Sequence, residues 1–89
     1  MRGTETKGDA EAIALNALVW TLGEPERAGR LLAVTGLAPR DLRARAGEPA
    51  VLAAVLAFLE GHEADLVACA DALDVPPTAL VSAREALER

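Results

Sequence analysis

Residues 49–60 read Pro-Ala-Val-Leu-Ala-Ala-Val-Leu-Ala-Phe-Leu-Glu and contain the longest uninterrupted run of apolar residues in the chain. Val51, Val55 and Phe58 recur at intervals of three to four residues, which is the period of an α-helix. A second stripe beside the first consists of Leu52, Leu56 and Leu59. Because a helix with two adjacent apolar stripes must be covered on most sides, this segment predicts the core helix of a helical domain.

Glycine and proline divide the chain on both sides of this helix into similar segments. The joints contain Gly23 and Pro25, Gly36 and Pro39, and Gly47 and Pro49. A glycine can end a helix in the left-handed conformation, and a proline fits the first turn of the next helix, where its missing N–H has no partner to lose. We therefore expect short turns between helices. The predicted helices cover residues 9–22, 25–35, 39–46 and 49–60, with a fifth after Gly61 and a sixth from Pro76-Pro77 to near Arg89.

The composition agrees with helices and with one domain. The chain has 20 alanines and 14 leucines in 89 residues, and no segment alternates apolar and polar residues as a strand would. We predict an all-α protein, a compact orthogonal bundle of about six short helices, with the first and fourth at its centre. Residues 1–8 are expected to be a flexible tail, and residues 9–89 a single domain. Gly29, inside the second helix, predicts a close crossing by another helix.

The residue types that usually perform catalysis are nearly absent. The sequence contains one His, one Cys and no Tyr, so a nucleophile or base oriented by a second group cannot readily be assembled. Metal-capable residues cluster only near the start of the fifth helix, where their side chains would spread apart. These residues are Glu60, His62, Glu63 and Asp65. We expect no enzymatic activity, no cofactor and no metal.

The single cysteine and the apolar stretches of the sequence indicate the cellular compartment of the protein. Cys69 has no second cysteine to pair with and lies among apolar residues, so we expect it to be buried in a protein of the reducing cytoplasm. The first apolar stretch follows acidic residues, unlike a secretory signal. The longest apolar run, residues 50–59, is about half of the roughly 20 residues that cross a membrane as a helix. No membrane association is expected.

Charge is distributed unevenly along the sequence. The net charge is −5, but residues 25–45 carry five arginines against two carboxylates, Glu26 and Asp41, a local charge of +3. We predict that these arginines form a cationic ridge that docks an unidentified protein partner. The candidate interaction surface consists of Arg27, Arg30, Arg40, Arg43 and Arg45. The alternative is a solvated face whose arginines pair with nearby carboxylates, including Glu24.

Residues 66–83 offer an alternative function. The pattern Ala70-x-x-Leu73-Asp74-Val75, followed by Leu80, resembles the helix-turn-helix of transcriptional regulators, and Asp74 can adopt the turn conformation. The second helix of this pair has few donors for base edges, and acidic residues surround the turn, so nucleic acid is an unlikely partner. DNA binding remains the alternative to a protein-interaction module.

The block Thr35-Gly36-Leu37-Ala38-Pro39-Arg40-Asp41-Leu42-Arg43 resembles a family of small bacterial proteins classed only as a domain of unknown function. The resemblance extends over about residues 10–88 and implies a compact helical domain without assigning a catalytic residue. Family members usually have Asp where this chain has Pro76. We predict a non-catalytic cytosolic adaptor that recognises a protein through the arginine ridge or through an apolar groove between helices. A homodimer is also possible, because the positive middle of the chain could pair with the negative remainder of a second copy.

Overall fold

Proline begins four of the six helices in the computed structural model, which describes residues 7–89. Its fixed φ suits the first helical turn, and its missing N–H leaves no donor unsatisfied there. The helices are α1 (Lys7–Leu22), α2 (Pro25–Thr35), α3 (Pro39–Ala44), α4 (Pro49–Glu60), α5 (Glu63–Leu73) and α6 (Pro77–Leu87). The described residues contain no strand, and the predicted all-α bundle is confirmed.

Two helix boundaries differ from the prediction. Helix α1 begins at Lys7, so Asp9 lies in the first turn, where its negative charge interacts favourably with the helix dipole. The last two residues of the expected tail are therefore helical, and residues 1–6 lie outside the described part of the chain. Helix α3 ends at Ala44, two residues early, because the chain turns there and the Glu48 N–H bonds the Arg45 carbonyl at 2.9 Å.

The left-handed conformation occurs at fewer joints than expected. Among the described residues only Gly36, at φ 74°, and Asp74, at φ 60°, have positive φ. At Asp74 the predicted turn is confirmed, and the N–H of Val75 bonds back to the Ala70 carbonyl at 3.0 Å. Gly61 ends α4 with φ −76°, so its helix stops without a left-handed residue.

The expected close crossing at Gly29 is wrong. No atom outside the local helix lies within 4 Å of the position that a Cβ would occupy, and Gly29 is exposed. This face of α2 points to solvent, so no neighbouring helix requires a glycine there.

Helix α4 is buried as predicted and contributes more residues to the core than any other helix, although not the majority of them. Seven of its residues are buried: Val51, Leu52, Ala53, Val55, Leu56, Phe58 and Leu59. The predicted centre of α1 and α4 is incomplete, however, because α6 packs against α1, α4 and α5 and buries Leu80 and Ala83. An ion pair between Arg84 on α6 and Glu60 on α4, 2.5 Å from Nε to Oε2, joins two of these helices.

Helix α1 also contains a buried hydroxyl. Thr21 is fully buried, and its Oγ1 donates a hydrogen bond of 2.8 Å to the Ala17 carbonyl, one turn earlier in the same helix. A buried polar group needs such a partner, so this residue satisfies itself without a bond to another helix.

No single helix in the described residues is both long and apolar enough to cross a membrane; α5 and α6 meet the length and composition only together, and their axes are bent by 97°.

Candidate functional surface

Arg27 contacts α1 rather than solvent. Its guanidinium lies over the Trp20 ring, 3.7 Å from the ring centroid, and Nη2 donates a 2.7 Å hydrogen bond to the Trp20 carbonyl. Arg27 Nη1 forms an ion pair with Glu24 Oε2 at 3.5 Å, and only 17% of the Arg27 side chain is exposed. A planar cation stacked on an aromatic face and bonded to a helix end holds α2 against α1.

Arg30 joins α2 to α5. Its Nη2 lies 2.8 Å from Asp65 Oδ2, across 35 residues of sequence, and Nη1 lies 3.8 Å from Glu26. The Nε atoms of Arg27 and Arg30 are buried without a hydrogen-bond partner among the described residues, while 40% of the Arg30 side chain remains exposed. Both arginines form a local ion pair, Arg27 with Glu24 and Arg30 with Glu26, but each also contacts another helix, so they do not form the solvated face of the alternative.

The remaining three arginines of the predicted ridge lie on or after α3. Arg45 forms a 3.1 Å ion pair with Glu48 across the turn before α4. Arg40 and Arg43 are exposed, and neither forms an ion pair with a residue that the structure describes. The five arginines therefore differ in role: two hold helices together, one pairs with its neighbour, and two are available to a partner.

An apolar groove lies between α1, α2 and α3. It has a volume of about 440 Å³, and the buried Leu18 and Leu42 contribute to its lining. Arg43 is the charged residue among those that line it. The α1 wall consists of Leu15, Val19 and Leu22, whose exposed fractions are 40%, 69% and 43%. These positions are separated by four and three residues and so follow one another along one face of α1.

The sequence indicates an apolar groove between helices as one docking option but does not locate it. It places α1 at the centre of the bundle, where its apolar residues would be covered. The structure buries Ala10, Ala14, Ala17 and Leu18 and leaves the other stripe partly in solvent. The available signal was that α1 is apolar on more faces than its neighbours could cover.

The one thiol is poorly suited to nucleophilic chemistry. Cys69 is completely buried, as predicted, and burial raises its pKa from 9.0 to about 11, although the positive charge of Arg27 acts in the opposite direction. The thiol is therefore protonated at neutral pH, whereas the thiolate is the nucleophile. In the described residues, no group of three or more His, Cys, Asp or Glu residues is arranged to hold a metal ion.

The segment that resembles a helix-turn-helix forms a sharp corner. The axes of α5 and α6 are bent by 97°, and the left-handed residue Asp74 lies between them. A DNA-reading second helix would need an accessible face with hydrogen-bond donors. Helix α6 instead buries one face in the core, and Thr78 and Glu85 are among the few residues that it exposes.

Comparison with known proteins identifies a family. No curated protein and no solved structure matches this chain. A family model described as "Protein of unknown function (DUF3572)" matches residues 7–89, which include all six helices and the block from Thr35 to Arg43. Because the match covers nearly the whole chain, the protein belongs to the DUF3572 family.

Proposed function

We propose that this protein is a non-catalytic protein-interaction module whose docking surface is the groove between α1, α2 and α3. The observation that carries this proposal is the exposed stripe of Leu15, Val19 and Leu22 along one wall of the groove. Soluble proteins seldom expose adjacent large apolar side chains, and such patches usually mark binding sites. A partner that docks in the groove would cover these side chains.

The charges beside the groove support a protein partner of acidic character. Arg43 lines the groove, and Arg40 lies on the same helix three residues earlier. Neither arginine forms an ion pair among the described residues. Because the net charge of the whole chain is −5, this local positive charge would attract an acidic partner that the rest of the surface repels. We also propose that the module acts in the cytoplasm, because its single buried thiol suits a reducing compartment.

Capture of partners from native cells tests the module with two matched variants. Val19→Glu introduces a charge into the groove, and Val67→Glu introduces the same charge on α5, where Val67 is 49% exposed and lines no part of the groove. We expect Val19→Glu to lose a partner that the unmodified protein and Val67→Glu both retain. Both variants should melt at nearly the same temperature, since both valines are exposed.

Two outcomes would contradict the groove as the docking surface. If the Val19→Glu protein captures the same proteins as the unmodified chain, the groove is not the docking surface. If Val67→Glu loses the partner as well, added negative charge rather than the groove explains the loss.

DNA binding is a second candidate, supported by the right-angled corner between α5 and α6. Exposed carboxylates at Glu63, Asp71 and Asp74 near this corner would repel phosphates. We expect no retardation of duplex DNA in a gel-shift experiment at low salt, where electrostatic attraction is greatest. Salt-dependent retardation that is lost on replacing Thr78 would favour the regulator over the module.

A further inference from the structure

We propose that the groove between α1, α2 and α3 binds an amphipathic α-helix of the partner, with acidic residues along the edge that faces α3. This inference rests on the proposed function and names the class of partner that the same groove would take. Three features support it: the spacing of the exposed apolar residues and, among the described residues, the absence of other peptide-binding features and the lack of an ion-pair partner for the two arginines on α3.

The exposed stripe has the dimensions of a helix–helix contact. Leu15, Val19 and Leu22 lie at positions i, i+4 and i+7 of α1 and extend over about 10 Å, or two helical turns. A helix that packs alongside α1 presents its own apolar residues at the same intervals. Helix-in-groove recognition uses anchors with this spacing. The groove therefore has the repeat of a helical ligand.

Other common modes of peptide recognition lack their structural requirements here. Addition of a peptide strand needs an exposed sheet edge, and the described residues contain no strand. Proline-rich peptides need a groove lined by aromatic residues, whereas Trp20 lies under Arg27, Phe58 is buried in α4, and neither lines this groove. Phosphopeptides need a cluster of several free arginines, whereas Arg27, Arg30 and Arg45 are paired within the chain and leave two, both on α3. A helical ligand fits the observed features best.

The positive charges on α3 determine which edge of the docked helix should be acidic. Arg43 borders the groove and Arg40 precedes it by one turn of α3, and both lack an ion-pair partner among the described residues. A carboxylate on the adjacent edge of a docked helix could accept paired hydrogen bonds from a guanidinium. A lysine at the same place would be repelled. These exposed contacts select the partner and its orientation more than they add affinity.

A display library provides a probe that does not require the natural partner. The library consists of peptides of about 16 residues, long enough to form a helix, with Leu fixed at i, i+4 and i+7 and the flanking positions randomised. We expect selection on the unmodified protein to enrich Asp and Glu along one edge. Selected peptides should bind the Val19→Glu protein at least about tenfold more weakly in fluorescence anisotropy, a loss equal to one decade in Kd.

A charge-reversed protein gives the matched control. The double variant Arg40→Glu and Arg43→Glu leaves the apolar stripe intact, so it should select Lys and Arg along the edge where the unmodified protein selects Asp and Glu. Both proteins should have the same circular dichroism spectrum, because these two arginines are exposed and make no ion pair in the described chain.

Several outcomes would overturn the helical partner. They are no enrichment, enrichment without an acidic edge, and binding that is indifferent to Val19→Glu. Sedimentation equilibrium tests the competing occupant, a second copy: a dimer that Val19→Glu dissociates would also overturn it. If native capture depends on Val19 while the library yields no acidic helix, the interaction module stands and only its helical partner is wrong.

Discussion

Gly29 is a residue that neither the backbone nor the packing of α2 requires. It lies inside the helix with a helical φ, and an added Cβ would meet no atom within 4 Å beyond the local helix. Alanine has less backbone entropy to lose on folding. We therefore predict that Gly29→Ala raises the free energy of unfolding by about 0.5–1 kcal/mol, measured by urea denaturation.

Gly36 provides the opposite case and serves as the control. It ends α2 with φ 74°, where a side chain is strained, and its N–H bonds the Leu32 carbonyl at 2.8 Å. Gly36→Ala should lower the free energy of unfolding by about 1 kcal/mol. If the two alanine variants changed stability in the same direction, the conformations assigned to these glycines would be wrong.

The local interactions at single residues were largely predictable from sequence. The bond of Thr21 to its own helix and the left-handed turn at Asp74 both depend on groups within five residues. The roles of Arg27 and Arg30 were not predictable in the same way. Arg27 contacts the Trp20 ring on α1. Arg30 of α2 pairs with Asp65 of α5, and two helices, α3 and α4, lie between these residues in the sequence.

At the scale of the elements, α2 is attached to its neighbours partly by arginine. We predict that Arg27→Ala lowers the free energy of unfolding by about 1–2 kcal/mol, because it removes the stacking on Trp20 and the hydrogen bond to the Trp20 carbonyl. Arg43→Ala should change it by less than about 0.5 kcal/mol, since Arg43 is exposed and forms no ion pair in the described chain. Urea denaturation of both variants measures the difference.

Arg27→Lys separates charge from shape at this site. Lysine keeps the positive charge but loses the planar group that stacks on Trp20, so its stability should lie between that of the unmodified protein and Arg27→Ala. Equal losses for Arg27→Ala and Arg43→Ala would show that the contact with α1 does not stabilise the fold.

For the whole molecule, burial of Cys69 makes the free energy of unfolding decrease at alkaline pH. Its pKa is 9.0 in its ordinary state and about 11 in the fold. Between these values the folded chain retains a proton that the unfolded chain has lost, so stability is unaffected below about pH 9 and falls as the pH rises toward 11. We predict a loss of up to about 2 kcal/mol across this range in urea denaturation.

Cys69→Ala is the control for that pH dependence. The sequence has no Tyr and only one lysine, Lys7, so few other side chains titrate in this range. The alanine variant should be less stable than the unmodified protein at pH 8 because it leaves a small void, but its stability should fall less toward pH 11. An equal alkaline loss in both proteins would assign the effect to another group.

The sequence specifies the number and type of the elements, because the helix period, the prolines at helix starts and the turn residues act over a few neighbouring positions. It also determined that α4 is buried, since two adjacent apolar stripes can be satisfied only by cover on most sides. Long-range packing sets three other features: α6 shares the centre, one face of α1 remains exposed, and Arg40 and Arg43 form no ion pair among the described residues. These features depend on which faces of helices far apart in the sequence pack against one another. The spacing of residues along the chain does not specify that packing.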